Sequence, residues 1–268
     1  PSVTLNGGSA ISVIGEGDSA NEYFGVFLTN SDYDGTHADG AVTLNGGSSI
    51  TLTSDAGSTD SVMVGVLTKG YGLGGESSGI VGVEMKGYGG ALSLNSGSSV
   101  LINAQGGRDS SSYVGLATLE TADTAAGVGQ ITLNAGSSVT VQGNGSENSK
   151  YIGVVSFGYG GANKYASNVT LNNSTISIIG DGGSSNKYVG VSIIGNDTNV
   201  TLNGASSVTI NAVYGTNGDV LGLLSYGADN HIALNGTSIV DVSATGSNYL
   251  AGISTNGPGS SVALSGSS

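Results

Sequence analysis

The chain has 268 residues and a formal net charge of −13, from 6 Lys+Arg against 19 Asp+Glu, with 49 Gly and no Cys. Charged residues make up 9% of the chain, far below the ~25% of an ordinary globular domain, so we expect a surface of Ser, Thr, Asn and Gly. The few scattered cations argue against nucleic acid as a partner. The lack of Cys excludes disulfides and thiolate metal sites, and no apolar run approaches the ~18 residues of a membrane helix.

A short phrase recurs along the whole chain and predicts a repeat fold. It reads VTLNGGS from Val3 and again from Val42, and related copies follow. The intervals between successive copies of its Asn are 39, 50, 39, 38, 31 and 32 residues. Such intervals are typical of solenoids, because a unit of this size cannot bury its apolar face without a neighbour. The repeated residues are Asn6, Asn45, Asn95, Asn134, Asn172, Asn203 and Asn235.

Each unit contains three short runs that predict β-strands. The first is V-T-L, the second begins five residues after the Asn, and the third reads Y-x-G-[VL], as in Tyr113–Leu116. Pairing Val240 with Val242 in the second run directs Asp241 outward, whereas a slip of one residue would bury its carboxylate. Capped helical periodicity is absent. We therefore predict an all-β fold, a three-stranded parallel β-helix (β-solenoid) of about seven coils, formed by residues 1–268 as a single unit.

Stacking the units predicts rows of identical side chains. The Asn lies where the chain must turn, since Asn tolerates the left-handed conformation, and its amide can bond to the Asn of the next coil. An outward Thr row is predicted beside it. The alternative for this row, a threonine array that orders water in an ice-binding module, is weakened by Ser93, Ala233 and Ala263, which interrupt it. The Thr row comprises Thr4, Thr43, Thr132, Thr170 and Thr201.

A glycine column in the third run has two interpretations. Glycine in a strand is costly, so it forms either a flat strip for another backbone or a site covered by a ring. We favour the second, in which the Tyr two positions earlier covers the glycine of a neighbouring coil. The column comprises Gly25, Gly65, Gly115, Gly153, Gly190 and Gly222.

Length variation falls at one corner, after the third strand, and predicts the binding face. Insertions there occupy about 30–41, 69–91, 118–130 and 157–168, whereas the later units are bare. Loops vary where a stacked core cannot, so insertions on one side commonly mark a binding face. Exposed tyrosines on these Gly-rich loops can stack on sugars or pack on protein, or fold back on the rod. The candidate binding residues are Tyr71, Tyr88, Tyr159, Tyr165, Asp32 and Asp34.

The sequence contains little that indicates catalysis or metal binding. The loop from Asp32 to Gly40 begins like a calcium loop, but no Glu follows at its twelfth position, so we interpret it as a solvated acidic loop. The histidines, His37 and His231, are far apart and no G-x-S-x-G elbow is present. The acids lie mostly at corners, away from the strand faces. We therefore expect no catalytic residues, no metal and no cofactor.

The V-T-L-N-x-x-S-x-V-x-V coils, the Ser/Thr/Asn/Gly surface, the acidity and the missing Cys together resemble passenger domains of bacterial autotransporter (type V secreted) adhesins. The resemblance covers nearly the whole chain. It implies a right-handed β-helix exported to the cell surface across the outer membrane of a Gram-negative bacterium. The family carries a C-terminal membrane barrel that this sequence lacks, and Ser268 ends within a unit, so we expect a fragment attached to the membrane only through that barrel.

The leading functional hypothesis is an adhesin module rather than an enzyme. It would mediate adhesion, self-association or biofilm formation, with another copy of itself or a host surface protein or glycan as its partner. The first alternative is a β-helical polysaccharide lyase or glycoside hydrolase, in which acids from neighbouring coils act as acid and base. The second alternative is the ice-binding module.

Overall fold

The computed structural model describes residues 2–15, 22–30, 40–54, 62–70, 76–77, 84–85, 90–105, 111–120, 129–144, 147–158 and 167–266. Within these ranges the backbone forms strands and turns, and helices are absent, as the sequence predicts. No helix in this part of the chain has the length and apolar character needed to cross a membrane.

The described residues form 22 strands. In chain order these are β1 (Ser2–Leu5), β2 (Ala10–Gly15), β3 (Glu22–Asn30), β4 (Gly40–Leu44), β5 (Ser49–Ser54), β6 (Val62–Gly70), β7 (Glu76–Ser77), β8 (Glu84–Met85), β9 (Gly90–Leu94), β10 (Ser99–Gln105), β11 (Ser112–Glu120), β12 (Gln130–Asn134), β13 (Ser138–Asn144), β14 (Lys150–Gly158), β15 (Asn168–Asn172), β16 (Thr175–Asp181), β17 (Lys187–Ile194), β18 (Asn199–Asn203), β19 (Ser207–Tyr226), β20 (His231–Gly236), β21 (Ile239–Asn256) and β22 (Ser261–Gly266).

The strands stack into long parallel sheets. Sheet 1 has eight strands in the order β1-β4-β9-β12-β15-β18-β20-β22. Sheet 2 comprises β2, β5, β10, β13 and β16 with the first halves of β19 and β21, and sheet 3 comprises β3, β6, β11, β14 and β17 with their second halves. Sheets 2 and 3 are therefore joined through β19 and β21 into one twelve-stranded sheet. A short antiparallel pair, β7 with β8, lies within the second insertion.

Equivalent positions of the repeats pair with one another along the sheets. Thr4 pairs with Thr43 in sheet 1, and Val100 pairs with Val139 in sheet 2. The register is unbroken in all seven strands of sheet 2 as far as the pair of Val213 with Thr245. The prediction of an all-β, stacked parallel solenoid is therefore confirmed. The predicted alignment of equivalent residues in successive repeats is confirmed as well.

The core lies between the sheets and consists of the inward residues of each strand. In β9, Leu92 and Leu94 are buried and alternate with partly exposed neighbours, as a strand with one buried face requires. The predicted register of the seventh unit is also confirmed. Val240 and Val242 pack against the core, whereas Asp241 is exposed.

The glycine column faces inward, and our interpretation of its neighbours was wrong. A Cβ added at Gly115 would overlap Cγ1 of Val139, which lies on the sheet 2 strand of the next repeat, and would lie 2.5 Å from the carbonyl oxygen of Gly153. Gly65 meets Val100 in the same way. Glycine is thus required because a β-branched residue of sheet 2 and the next backbone occupy the space of its side chain. The column is no outward strip and is not the site that the tyrosines cover.

The tyrosines instead cover glycines of their own repeat. The rings of Tyr151 and Tyr188 lie against Gly143 and Gly180 at the end of the preceding sheet 2 strand. The two rings stack on each other, with centroids 4.7 Å apart, and both are buried. Burial raises the pKa of Tyr188 to about 12, because it disfavours the phenolate. These rings therefore belong to the core.

The middle of sheet 3 is apolar on both faces, which the sequence did not predict. Tyr113 and Leu116 both face the main core although they are three residues apart, so the alternation shifts at Gly115. Val114 and Ala117 belong to a second apolar cluster outside the main core. Both are fully buried. The members of this second cluster are Val64, Val114, Ala117, Ile152, Val155, Val189, Leu221 and Leu224.

The register makes a first prediction about stability. Val141 is fully buried, whereas its neighbour Thr140 faces outward and is partly exposed. We expect Val141→Asp to cost more than about 3 kcal/mol, because its carboxylate has no partner in an apolar stack. Thr140→Asp should change stability little. Circular dichroism melts compare the two variants, and equal melting temperatures would show that the register is wrong.

The glycine column makes a second prediction. Gly115→Ala should destabilise the protein by about 1–3 kcal/mol, because the added methyl group overlaps Val139 and the next strand. Gly252, the last member of the same column, has open space around its Cβ position, so Gly252→Ala is the matched control and should be nearly neutral. Urea unfolding measures both. A neutral Gly115→Ala would contradict the packing described here.

Candidate interaction surface

The sequence-predicted binding residues lie outside the described part of the chain. Tyr71, Tyr88, Tyr159 and Tyr165 belong to the insertions, as do Asp32 and Asp34. Their role as a decorated binding face therefore stays a prediction. The surfaces that the structure does describe are the outward faces of the three sheets and the corners between them.

In each repeat an Asn directly follows the V-T-L run, and these Asn side chains form a ladder along the corner between sheets 1 and 2. Each Nδ2 donates to Oδ1 of the Asn in the preceding repeat, at 2.7–3.0 Å. At the end of the ladder, Ser265 Oγ donates to Asn235 Oδ1 at 2.7 Å. The predicted Asn ladder is confirmed. It is structural, because each internal amide uses its donor and its acceptor within the row.

The left-handed residue of this corner follows the Asn. Ser96 and Ala135 have φ values of 55° and 53°, and Asn173 has a φ of 48°. Glycine occupies the same place in the other repeats, as Gly46 with a φ of 63° shows. The ladder Asn is thus free to remain extended and align its amide, and the turn is made by the next residue. Our expectation that the ladder Asn itself adopts this conformation was wrong.

A buried serine closes the same corner. Ser48, Ser98 and Ser137 are buried, and each hydroxyl donates to the carbonyl oxygen of the ladder Asn three residues earlier at 2.6 Å. This bond satisfies a carbonyl at the end of the strand, where the sheet no longer supplies a donor. The corner between sheets 1 and 2 therefore has the same shape in successive repeats, which keeps the two sheets aligned.

The outward face of sheet 2 is a regular array of three rows of seven side chains. Hydroxyl and amide side chains dominate, and Asp241 is its one charged member. We call this array the uncharged surface. The first row is Ala10, Ser49, Ser99, Ser138, Thr175, Ser207 and Ile239; the second is Ser12, Thr51, Leu101, Thr140, Ser177, Thr209 and Asp241; the third is Ile14, Thr53, Asn103, Gln142, Ile179, Asn211 and Ser243.

Large aliphatic side chains punctuate the uncharged surface. Ile14 is 69% exposed, Ile239 54% and Ile179 44%. Val213, beside the third row, is 47% exposed. Single exposed aliphatic residues are ordinary, but here they lie on one face of a mostly polar sheet. Their burial by a partner would add apolar contact to repeated hydrogen bonds.

Charge is segregated away from sheets 1 and 2. In the segments 2–15, 40–54, 90–105, 129–144, 167–181, 198–218 and 230–248, which form these sheets and their shared corner, Asp181 and Asp241 are the only Asp, Glu, Lys or Arg. Asp181 ends β16, beside the third row, where it is exposed and pairs in register with Val213. The remaining charged residues of a chain with net charge −13 lie elsewhere. A partner that approaches sheet 2 therefore meets little fixed charge.

Described charged residues gather around sheet 3. Lys150 and Lys187 are register partners on neighbouring strands, and Asp219 follows at the next position. Burial and the neighbouring Lys187 lower the pKa of Lys150 from its usual value. The two lysines were not singled out by the sequence, because only the register shows that they are adjacent.

Two Asp residues also occupy equivalent positions at the corner after sheet 3. The amide of Asp197 donates to the carbonyl of Ala228 at 3.0 Å, which aligns Asp197 with Asp229 of the next repeat. Both residues are left-handed, with φ values of 54° and 56°. Gly259 occupies this place one repeat later. Among the described residues, no group of three or more His, Cys, Asp and Glu is arranged to hold a metal ion.

Comparison with known proteins does not assign a family. No protein-family model matches the chain, and neither a curated protein nor a solved structure matches it.

The Asn ladder makes a third prediction. Asn134→Asp removes the donor to Asn95 and places a carboxylate oxygen beside its Oδ1, so we expect a loss of about 1–3 kcal/mol at pH 7. Protonation restores a donor, which raises the pKa of the introduced carboxyl in the folded state. Its favourable contribution is therefore present at low pH and lost as pH rises through that pKa.

The control is Asn134→Ala, which lacks both groups at every pH. Chemical unfolding at pH 4 and pH 7 should show that the Asp variant gains stability relative to the Ala variant on acidification. A constant difference between the two variants would contradict a donor–acceptor ladder.

Proposed function

We propose that this chain is a bacterial cell-surface adhesion module that associates with another copy of itself through the uncharged surface. The observation that carries the proposal is the outward face of sheet 2, with three in-register rows of seven side chains and a single charge. Two chains of net charge −13 repel each other, and this face lets them meet where that charge is lowest.

The repeat distance favours a second solenoid as the partner. Strands in a parallel sheet are ~4.8 Å apart, so side chains recur at this interval along the rod. A second copy has the same interval, and a contact made at one repeat is available again at the next. Ser, Thr, Asn and Gln are each donors and acceptors, so identical faces can pair with themselves.

The area of the face predicts a weak contact. Seven strands at ~4.8 Å and five residues at ~3.3 Å give a face of about 29 by 13 Å, or roughly 380 Å² per copy. A stable interface buries about 800 Å² per partner. Individual copies should therefore associate weakly, and strong adhesion should require many copies displayed on one surface.

The handedness of the β-helix, the number of strands per coil and the cellular location are also part of this proposal. We infer a right-handed β-helix with three strands per coil, as in the autotransporter adhesins that the sequence resembles. Support comes from the five repeats that each supply separate strands to sheets 1, 2 and 3. Display on the outer membrane of a Gram-negative bacterium, with roles in adhesion and biofilm formation, follows from the same resemblance. A host surface protein or glycan is the alternative partner.

One observation favours the enzyme alternative enough to test it. Asp197 and Asp229 are aligned on neighbouring repeats, and paired carboxylates about 5 Å apart are the arrangement of retaining glycosidases. The adhesion proposal predicts that the chain has no such activity. Reducing-sugar release from acidic and neutral polysaccharides should be zero for both the native chain and Asp197→Asn. Release that this variant abolishes would establish the enzyme instead.

The adhesion proposal makes a fourth prediction. Replacing Thr51, Thr140 and Thr209 together with Glu places three like charges on the uncharged surface of each copy. We expect at least a ~10-fold loss of self-association, a loss of about 1.4 kcal/mol. The melting temperature should fall only slightly, because all three side chains face outward and Thr209 alone has a charged register partner, Asp241. Sedimentation across concentration, and clumping of cells that display the chain, measure the effect.

The control carries the same charge on sheet 3, with Tyr226, Tyr249 and Thr255, all exposed, replaced by Glu. It should associate like the native chain. A further arm changes Tyr71, Tyr88 and Tyr159 to Ala and tests the decorated corner. If the tyrosine variant loses association and the threonine variant associates normally, the binding face lies at the insertions and not on sheet 2.

A further inference from the structure

Two of the six cationic residues of the chain occupy adjacent positions on sheet 3. Lys150 begins β14 and Lys187 begins β17, and the two are register partners. With 19 acidic residues in the chain, carboxylates are the expected stacking partners of lysines, and Lys187 has one, Asp219, on its other side. Here two ammonium groups share one side of one sheet, and this is the feature that needs an explanation.

The lysines point away from the main core, and they are partly enclosed. Tyr151 and Tyr188, the next residues, are buried in the core, so alternation places both lysine side chains on the opposite face. That face also holds Ile152 and Val189, which are 1% exposed. Both lysines are half-buried. Burial and the neighbouring Lys187 lower the pKa of Lys150.

Among the described residues, no carboxylate lies between the two lysines in the sheet. The row that contains them runs Ser112, Lys150, Lys187, Asp219 and Tyr249. Asp219 therefore adjoins Lys187 on the side away from Lys150. Glu147 lies on the turn before β14 and Asp181 ends β16; both are exposed. The position between the two ammonium groups is thus bordered by positive charge.

The spacing fits one oxyanion. Neighbouring strands are ~4.8 Å apart, and a charge-assisted N–H···O bond is about 2.8 Å long. A carboxylate or sulfate placed between the lysines accepts one bond from each, with the two nitrogens roughly 5 Å apart. The bound anion attracts both ammonium groups and so offsets the repulsion between them. Neither lysine side chain has to leave its position in the row.

We propose that Lys150 and Lys187 together form a binding site for a single carboxylate or sulfate group of an acidic polysaccharide. The adjacent apolar row is already buried and offers no area to a protein partner, so the contact is small and polar, which suits one charged sugar. The site is on sheet 3 and does not depend on self-association through sheet 2.

The test uses the full chain and three oligosaccharides of equal length. A galacturonate oligomer carries carboxylates only, a sulfated neutral oligomer carries sulfates only, and a neutral oligomer carries neither. Side-chain NMR follows the Cε and Nζ signals of the lysines. We expect saturable binding of one or both acidic probes, a rise in the pKa of Lys150 on binding, and weakening with added salt. The acidic probe that binds identifies the group.

Variants separate a specific pair from general charge. Lys150→Gln and Lys187→Gln should each lower affinity at least ~10-fold, whereas Lys164→Gln, with the same change in net charge, should lower it less than about twofold. Circular dichroism confirms that each variant folds. The proposal is overturned if neither acidic probe binds, if the neutral probe binds equally well, or if Lys164→Gln is as harmful as the other two. A chain that fails to self-associate but still binds an acidic probe would contradict the adhesion proposal and leave the anion site intact.

Discussion

The whole structure depends on stacking each strand directly on its equivalent in the next repeat. Hydrogen bonds between parallel strands fix the spacing at ~4.8 Å, and the register then places like residues above one another. Val100 on Val139 and Thr4 on Thr43 are examples. A structural feature of one repeat therefore recurs along the stack of repeats. A residue suits this fold only if it tolerates a copy of itself as a neighbour.

That constraint explains the unusual composition. Two like charges one strand apart repel by about 1 kcal/mol in water and by roughly 3.5 kcal/mol in a partly buried setting. A charged residue repeated along a strand face would accumulate this cost at every step. Asn avoids it, because one amide donates to the next, as in the bond from Asn45 to Asn6. Uncharged strand faces and charged corners are therefore what stacking favours, and Lys150 with Lys187 departs from that pattern.

Much of this architecture was predictable from periodicity. The spacing of Asn and the alternation around it gave the sheets, the ladder and the outward position of Asp241, since each follows from local sequence and a constant register. The partner of Gly115 was not predictable, because Val139 belongs to a different sheet of another repeat. The second apolar cluster was missed for a related reason. Alternation shifts at Gly115, so Val114 reads as an ordinary surface position until the structure shows that it is buried.

The candidate interaction surface was less predictable from the sequence. Insertions drew attention to the tyrosines, which are conspicuous as motifs, whereas the uncharged surface is assembled from serines and threonines that no motif distinguishes. Its regular rows and low charge exist only as a property of seven aligned strands. The same is true of the lysine pair, which is 37 residues apart in sequence and adjacent in the sheet.

The most direct test of in-register stacking is a distance measured along sheet 1 by electron spin resonance. The chain has no Cys, so Thr43→Cys with Ala233→Cys provides two unique attachment points for spin labels. These residues lie on β4 and β20, which are separated by the strands β9, β12, β15 and β18. Five spacings of ~4.8 Å predict a narrow distribution centred at about 24 Å. A broad distribution, or a centre displaced by more than about one strand spacing, would contradict the account.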